Sequence, residues 1–156
     1  MNITCLVVGK TKEKAHQAFQ EHYLDKLKHY CNIKYVELSN PKNASKLNKA
    51  QLQDLEGKMI LEKISTKAQL ILLDEKGKQY SSTEFAEHIE KKQLNATTEI
   101  VFVIGGAFGF SQEVYHAAQE KMALSKMTFT HQMVRVIFLE QLYRAFSIIK
   151  GEKYHH

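Results

Sequence analysis

Residues 100–110 read IVFVIGGAFGF, and the junction inside that stretch decides the fold. A run of β-branched and aromatic residues from Ile100 to Ile104 stops at Gly105-Gly106, and a third glycine follows at Gly109. An unbroken apolar run of this length marks a strand buried on both faces, as in a parallel sheet flanked by helices. Glycines placed directly after such a strand let the backbone turn sharply and let a ligand come close. The dinucleotide-binding fingerprint G-x-G-x-x-G is not met, because Phe108 stands where a glycine is required.

Outward from this strand the chain alternates. Ile3 to Val8 reads as a strand closed by Gly9-Lys10, and residues 11–30 carry Ala15, Phe19, Tyr23, Leu27 and Tyr30 at helical spacing. Residues 33–38 form a second strand, and the only proline, Pro41, sits in a polar turn. Ser45 is placed to cap a helix running to about Ile64, with Gly57 as its weak point. Residues 69–73 are almost wholly apolar and read as a central strand that ends in the polar loop 74–78. Ser81 or Ser82 caps a helix reaching Leu94, with Glu84 and Glu87 in its first turns suiting the helix dipole. Ser111 caps another helix near Glu113, Ala123-Leu124 form a short fifth strand, and a last helix spans residues 131–149. With no repeat or linker, the expectation is one α/β domain over residues 1–156.

The bulk numbers agree with a single ordinary domain: 156 residues, 44% hydrophobic and 25% charged. No apolar run approaches the roughly 18 residues of a membrane span. The first residues read as a strand and not as a secretion signal, so no membrane role is expected. Cys5 and Cys31 both lie in apolar patterns, which suits a reduced, cytoplasmic protein. The formal net charge is +5, and the segment from Lys121 onward holds six basic and two acidic residues, so most of the excess lies there. Arg135 and Arg144 are the only arginines. Arginine is the residue suited to bidentate phosphate contact, though two arginines in a lysine-rich chain also arise by chance.

The last helix carries apolar residues on every side, and a helix of that kind must be buried all round. One face can cover the sheet, and the other needs a partner, for which a second copy of the chain across a two-fold axis is the natural choice. Arg135 and Arg144 lie nine positions apart, about 180° around the helix, so they serve one pocket only if two copies meet.

Ligands of open α/β sheets bind beyond the carboxyl ends of the strands. Three such loops begin at Leu73-Asp74, Gly105-Gly106-Ala107 and Ser125 to Thr130. They are rich in backbone and have few acids, and the third holds Met127 and Phe129, which suits a partly apolar ligand that is neutral or cationic. There is no P-loop and no nucleophile elbow. His16, His22 and His29 are spaced by six and seven, not at metal-ligand spacing, so no metal is expected.

At this point the residues carry a resemblance. VVGK after the first strand, LDEKGK at 73–78, FVIGGAFG at 102–109, LSKMTFTHQMVRVIFLEQLYRAF at 124–146 and the terminal YHH together resemble the family of ribosomal large-subunit RNA pseudouridine methyltransferases, of the SPOUT class. The resemblance runs over the whole chain, and its specific part is 124–146. It implies a Rossmann-like parallel-sheet domain with a C-terminal deep trefoil knot formed by roughly residues 100–149, working as a homodimer. It implies S-adenosylmethionine as cofactor, held by Leu73, Gly105, Leu124, Ser125, Lys126, Met127, Thr128 and Phe129. The implied reaction is methylation of ring nitrogen 3 of a pseudouridine in large-subunit ribosomal RNA, on the assembled ribosome. Family members usually have proline before the histidine of the H-x-x-V-R run, whereas Thr130 stands there here; threonine keeps a donor and can cap the last helix.

The imide N–H of the target must lose its proton, so the site needs a base or a cation that stabilises the anion. His131, Arg135, Glu140, Arg144, Tyr154 and His155 are the candidates for RNA contact, with His155, Tyr154 and Arg144 as the catalytic choice. Glu140 lies four residues before Arg144, and holding its guanidinium is as good a role as catalysis. The tail 151–156 reads either as a frayed end or as a Tyr-His pair suited to stacking on a base and moving a proton. Two rivals stand beside this reading: a catalytically inactive knotted protein that binds RNA or the ribosome, and an ordinary nucleotide-binding α/β enzyme, against which the missing fingerprint speaks.

Overall fold

A computed structural model describes residues 1–155. Strands β1 (Asn2–Val8), β2 (Asn32–Leu38), β3 (Gln69–Gln79), β4 (Glu99–Ile104) and β5 (Glu120–Ala123) form one sheet in the order β2-β1-β4-β3-β5. Every pairing is parallel, with Ile3 opposite Ile100, Leu73 opposite Ile104 and Ile71 opposite Glu120. The Ile100–Ile104 run is thus the middle strand of five, which is why it can be apolar without alternation.

Alternate residues of the strands feed two cores. On one face Ile3, Cys5, Val7, Ile71 and Phe102 pack with helices α1 (Lys14–Leu27), α3 (Ser82–Leu94) and α5 (Met133–Ile149). On the other, Leu6, Val8, Leu72, Val101 and Val103 pack with α2 (Lys49–Leu61) and α4 (Gln112–Ala117). The chain leaves the edge strand β5 and returns beneath the sheet, where α5 lies between α1 and α3. Phe138, Leu139, Leu142, Ala145 and Phe146 are buried within a single chain under the two flanking helices, while Met133 is exposed and Val134, Ile137, Ile148 and Ile149 are half-buried.

Caps chosen from the sequence behave locally as such residues do. Ser81 accepts from the Glu84 N–H while Glu84 accepts from the Ser81 N–H, a reciprocal capping box for α3. Ser111 accepts from Val114 N, and Thr130 Oγ1 accepts from Met133 N at 3.2 Å. The second helix departs from expectation. Ser45 falls in a short 3-10 turn, Ala44–Lys46, and α2 begins at Lys49 because Asn48 and Gln51 cap it reciprocally.

Two further differences have physical causes. The polar residues 74–78 do not form a loop: β3 continues to Gln79 through an irregularity, with Met122 opposite both Leu73 and Lys78. Gly77 permits this, since a Cβ there would lie 2.5 Å from the Met122 backbone. On α1, Phe19 is 57% exposed while Gln20 is buried, the reverse of the apolar pattern. Gln20 is satisfied in the interior by donating to Thr11 Oγ1 at 3.0 Å.

Where β3 and β5 begin, Glu120 accepts from the half-buried His88 (2.7 Å) and from the buried Lys92, which also donates to Gln69 at 2.7 Å. The His88 hydrogen bond, then that of Lys92, draws the Glu120 carboxyl down to about 2, outweighing the opposing effect of burial. A carboxylate whose folded pKa is depressed stabilises the fold above its unfolded pKa and loses that contribution as pH falls toward the folded value. Unfolding free energy measured by denaturant titration is expected to fall between about pH 5 and pH 2, and Glu120→Gln is expected to flatten that slope.

Candidate active site

A cleft of about 540 Å³ opens at the C-terminal ends of β3, β4 and β5. That is within the range of small-molecule sites, roughly 300–1,000 Å³. Leu73 to Lys76 and residues 104–110 form one side; Met122 to Ser125, Met127 to Phe129, His131 and Val134 form the other, with Lys49 at the edge. The three segments singled out in the sequence therefore meet in one place, the first as the irregular part of β3 and the other two as loops. Leu73, Gly105, Leu124, Ser125, Met127, Thr128 and Phe129 line the cleft, whereas Lys126 is exposed and stands outside its wall.

The glycine loop is shaped by what surrounds it. Gly109 has φ +75° and donates its N–H to Gly106 O, closing the turn. At Gly106 the constraint is space: a Cβ would come within 2.6 and 2.7 Å of the Glu56 carboxylate oxygens. Glu56 is only 7% exposed, and burial raises its pKa. One turn earlier on α2, Gln53 donates to Phe108 O at 2.6 Å. Gly57, the helix's weak point by propensity, lets α2 approach α4, since a Cβ there would sit 2.3 Å from Ser111 Oγ. Helix α2 is thus a backing plate for the cleft loop. Neither Gln53 nor Glu56 was singled out in the sequence; the available hint was a glycine in a helix interior.

The chemistry of the wall is mixed. Asp74 accepts from the Tyr115 hydroxyl and from Lys76 N (2.8 Å). Burial, reinforced by Asp74, pushes the Tyr115 phenol up to about 12. Ser125 Oγ accepts from Met127 N at 2.9 Å, fixing the turn of the last loop. At the mouth the apolar side chains are open: Met127 is 77% exposed, and Phe108, Phe129 and Met133 are each exposed by two-fifths or more.

A second cluster gathers at the other end of α5. Glu140 Oε1 accepts from Arg144 Nε (3.0 Å), Arg144 Nη2 (2.7 Å) and Tyr154 OH (3.2 Å), and Oε2 accepts from Gln141. The Arg144 guanidinium lies 4.8 Å from the Tyr154 ring centroid, and Lys26 lies over the rings of Tyr143 and Tyr154. Glu140 raises the Arg144 pKa; burial first, then neighbouring Tyr23 and Glu140, raises that of Tyr154, so the phenol stays protonated. In this arrangement Glu140 holds Arg144 and Tyr154 in place. Tyr30 OH donates to Glu152 at 2.6 Å, which anchors the tail on the turn that follows α1. His155 ends a 3-10 turn, Lys153–His155, and its side chain, like His156, lies outside the described residues. Arg144 is ten positions beyond Val134 of the cleft wall, about 15 Å along the helix, so one chain does not bring the tail cluster to its own cleft.

Arg135 corrects an expectation. It is 0% exposed and cannot reach RNA from this position; Nη2 donates to Val8 O (2.7 Å) and Nη1 to Thr11 Oγ1 (2.9 Å), with Glu37 at 3.8 Å. Its place is structural, between α5 and the end of β1. His131 stands at the cleft just before α5, whereas Glu140 lies at the middle of the helix and Arg144 in its second half. Cys5 and Cys31 are poor nucleophiles, since burial raises them to about 12 and about 11. Among the described residues no group of three metal-ligating side chains is assembled.

A parallel five-stranded sheet, covered on both faces and with a cleft formed by three loops at its carboxyl edge, defines a Rossmann-like α/β ligand-binding domain. More particularly, the chain belongs to the SPOUT methyltransferase family: the model described as "Predicted SPOUT methyltransferase" matches residues 1–155. Similar curated proteins include the ribosomal RNA large subunit methyltransferase H of Cytophaga hutchinsonii, 47% identical over all of both chains. The protein of the same name from Christiangramia forsetii is 45% identical, over all of this chain and 99% of its own. Among solved structures, the A. aeolicus TrmH/SpoU tRNA modifying enzyme superposes with a TM-score of 0.50 at 13% identity, over 96% of this chain and 77% of that one, a likeness of fold.

Gly106→Ala is expected to cost about 1–3 kcal/mol by overpacking against Glu56. Removing the obstruction in Gly106→Ala/Glu56→Ala is expected to restore part of the loss. Thermal unfolding of the four proteins of the cycle measures this, and zero coupling between the two positions would refute the contact.

Proposed function

We infer that this protein is a methyltransferase of large-subunit ribosomal RNA that uses S-adenosylmethionine. The observation that carries the reading is near-half identity, end to end, with proteins of that name. The cleft fits the cofactor in kind: its volume suits a nucleoside-sized ligand, its walls mix backbone and apolar side chains with polar groups, and Asp74 and Glu75 favour a cationic group. Leu73, Gly105, Leu124, Ser125, Met127, Thr128 and Phe129 would hold it, with Lys126 flanking the loop from outside. When bound, S-adenosylmethionine supplies a methyl group on a positively charged sulfur, activated for in-line attack.

The chain's own part is positioning and charge. The target is ring nitrogen 3 of a pseudouridine. Its imide N–H must ionise, and Arg144, kept cationic and oriented by Glu140, offsets the negative charge that develops. Tyr154, held protonated with its hydroxyl donated to Glu140, presents a ring for stacking, and His155 takes the proton. Glu140 acts through Arg144 and Tyr154 and is a positioning residue. His131 borders the cofactor where the RNA enters.

The separation of cleft and tail leads to a homodimer in which the tail of one subunit completes the cleft of its partner. The open apolar residues Phe108, Met127, Phe129 and Met133 at the cleft mouth are suited to bury against that partner. The domain spans the chain, with a trefoil knot over roughly residues 100–149 of which α5 is the threaded part. The substrate is the assembled ribosome, and the place is the cytoplasm. No described helix is long and apolar enough to cross a membrane.

Calorimetric titration with S-adenosylmethionine is expected to show saturable binding at one site per chain or per dimer. No saturable binding would revive the reading of a binding protein without catalysis. Truncation after Lys153 is expected to leave cofactor binding intact and to abolish methyl transfer to ribosomes; a truncated protein with full activity would refute the role of the tail.

A further inference from the structure

We propose that the loops following β1 and β2 form the surface that grips the ribosomal RNA backbone beside the cleft. The inference rests on the reading above and assigns the nucleic-acid contact to residues outside α5 and the tail. The loop after β1 presents Lys10, Lys12 and Lys14, and the loop after β2 presents Lys42, Lys46 and Lys49, all six exposed. Their only acidic neighbour within residues 9–14 is Glu13, and residues 39–53 contain no acid. Among the described residues none of the six forms an ion pair. The single buried lysine, at the opposite edge of the sheet, is neutralised by Glu120.

These loops are fixed relative to the cleft. Gln132 Oε1 accepts from the N–H groups of Lys12 (2.9 Å) and Glu13 (3.2 Å), and Gln132 adjoins His131 of the cleft wall. The buried Arg135 ties Val8 and Thr11 to the same helix. Asn40 packs on Gly9, where a Cβ would stand 3.0 Å from its Oδ1, so the second loop rests on the first. Lys49 belongs to both the basic loop and the rim of the cleft. One continuous edge therefore runs from the β2 end of the sheet to the cleft, with positive charge on one half and the cofactor loops on the other.

The chemistry specifies a polyanion held by its phosphates. Lysine is a compact point charge without the planar fork that reads bases, so such a surface positions RNA without reading its sequence. An anionic membrane is a poorer match, because the loops lack exposed large apolar side chains to insert.

The test compares two triple variants of equal charge. Lys12→Gln/Lys42→Gln/Lys46→Gln removes charge from the proposed surface and spares the cleft residue Lys49. Lys63→Gln/Lys67→Gln/Lys91→Gln removes as much from exposed positions elsewhere. Binding to large ribosomal subunits is measured across a salt series, with calorimetric S-adenosylmethionine binding as the check on the cleft. The first variant is expected to bind subunits about tenfold more weakly, with a salt slope lower by about two, as for three lost phosphate contacts at ~0.7 each. Its cofactor affinity should be unchanged, and the second variant should bind subunits within about twofold of the parent. Equal losses in both variants, or no loss in the first, would overturn the proposal. Absence of methyl transfer by the parent protein would instead count against the catalytic reading, and the binding comparison would still decide the surface.

Discussion

A guanidinium without exposure to solvent joins the last helix to the first strand. Arg135 reaches from the first turns of α5 to the carbonyl of Val8 and the hydroxyl of Thr11, with Glu37 close by. A buried cation is tolerated only where hydrogen bonds and opposite charge replace water, so the geometry leaves little freedom. The start of α5 is thereby held against the end of β1. That fixes Gln132 under the backbone of Lys12 and Glu13, and it fixes His131 and Val134 in the wall of the cleft. Displacing this one side chain would disturb both the strand-end loop and the ligand site.

The cleft depends on a second constraint, which acts from behind. Helix α2 presses Gln53, Glu56 and Gly57 against the segment from Gly106 to Ser111. The approach is close enough that the absence of two Cβ atoms decides it. Gly57 would be improved by alanine on helix propensity, by about 1 kcal/mol. The Ser111 hydroxyl it would strike is itself the cap of α4, so packing outweighs propensity. The loop facing the cleft is therefore packed from behind by residues two layers away from its open side.

The cleft lies at the start of α5, and the tail cluster begins at its middle. The cleft brings together carboxylates, lysines and apolar side chains but no arginine; at the tail Arg144, Glu140 and Tyr154 are knitted together. The exposed lysines of the loops after β1 and β2 are joined to the cleft side of α5 through Gln132 and the buried Arg135.

Much of this was legible in the linear chain wherever the determinant is local. The Ile100–Ile104 run announces a central parallel strand because burial on both faces demands an unbroken apolar series. Ser81, Ser111 and Thr130 announce helix starts because a cap needs only an N–H two or three residues away. Two of the three cleft segments were legible as loops for the same reason, the glycine turn after Ile104 and the stretch after Leu124. Other features were decided by the tertiary structure, because their partners lie far away in sequence. Two arginines on one helix look equivalent, yet Arg135 is buried by Val8 and Thr11 while Arg144 stays near the surface on Glu140. Gln20 enters the interior and Phe19 leaves it because Thr11 offers a hydrogen-bond partner. Residues 74–78 become strand because β5 comes alongside and Gly77 lets it. The linear chain by itself determined most of the strands and helices and the glycine turn after the central strand; only packing decided which charged side chains are buried and which stay near the surface, since burial of a polar group depends on the partner that the fold brings to it.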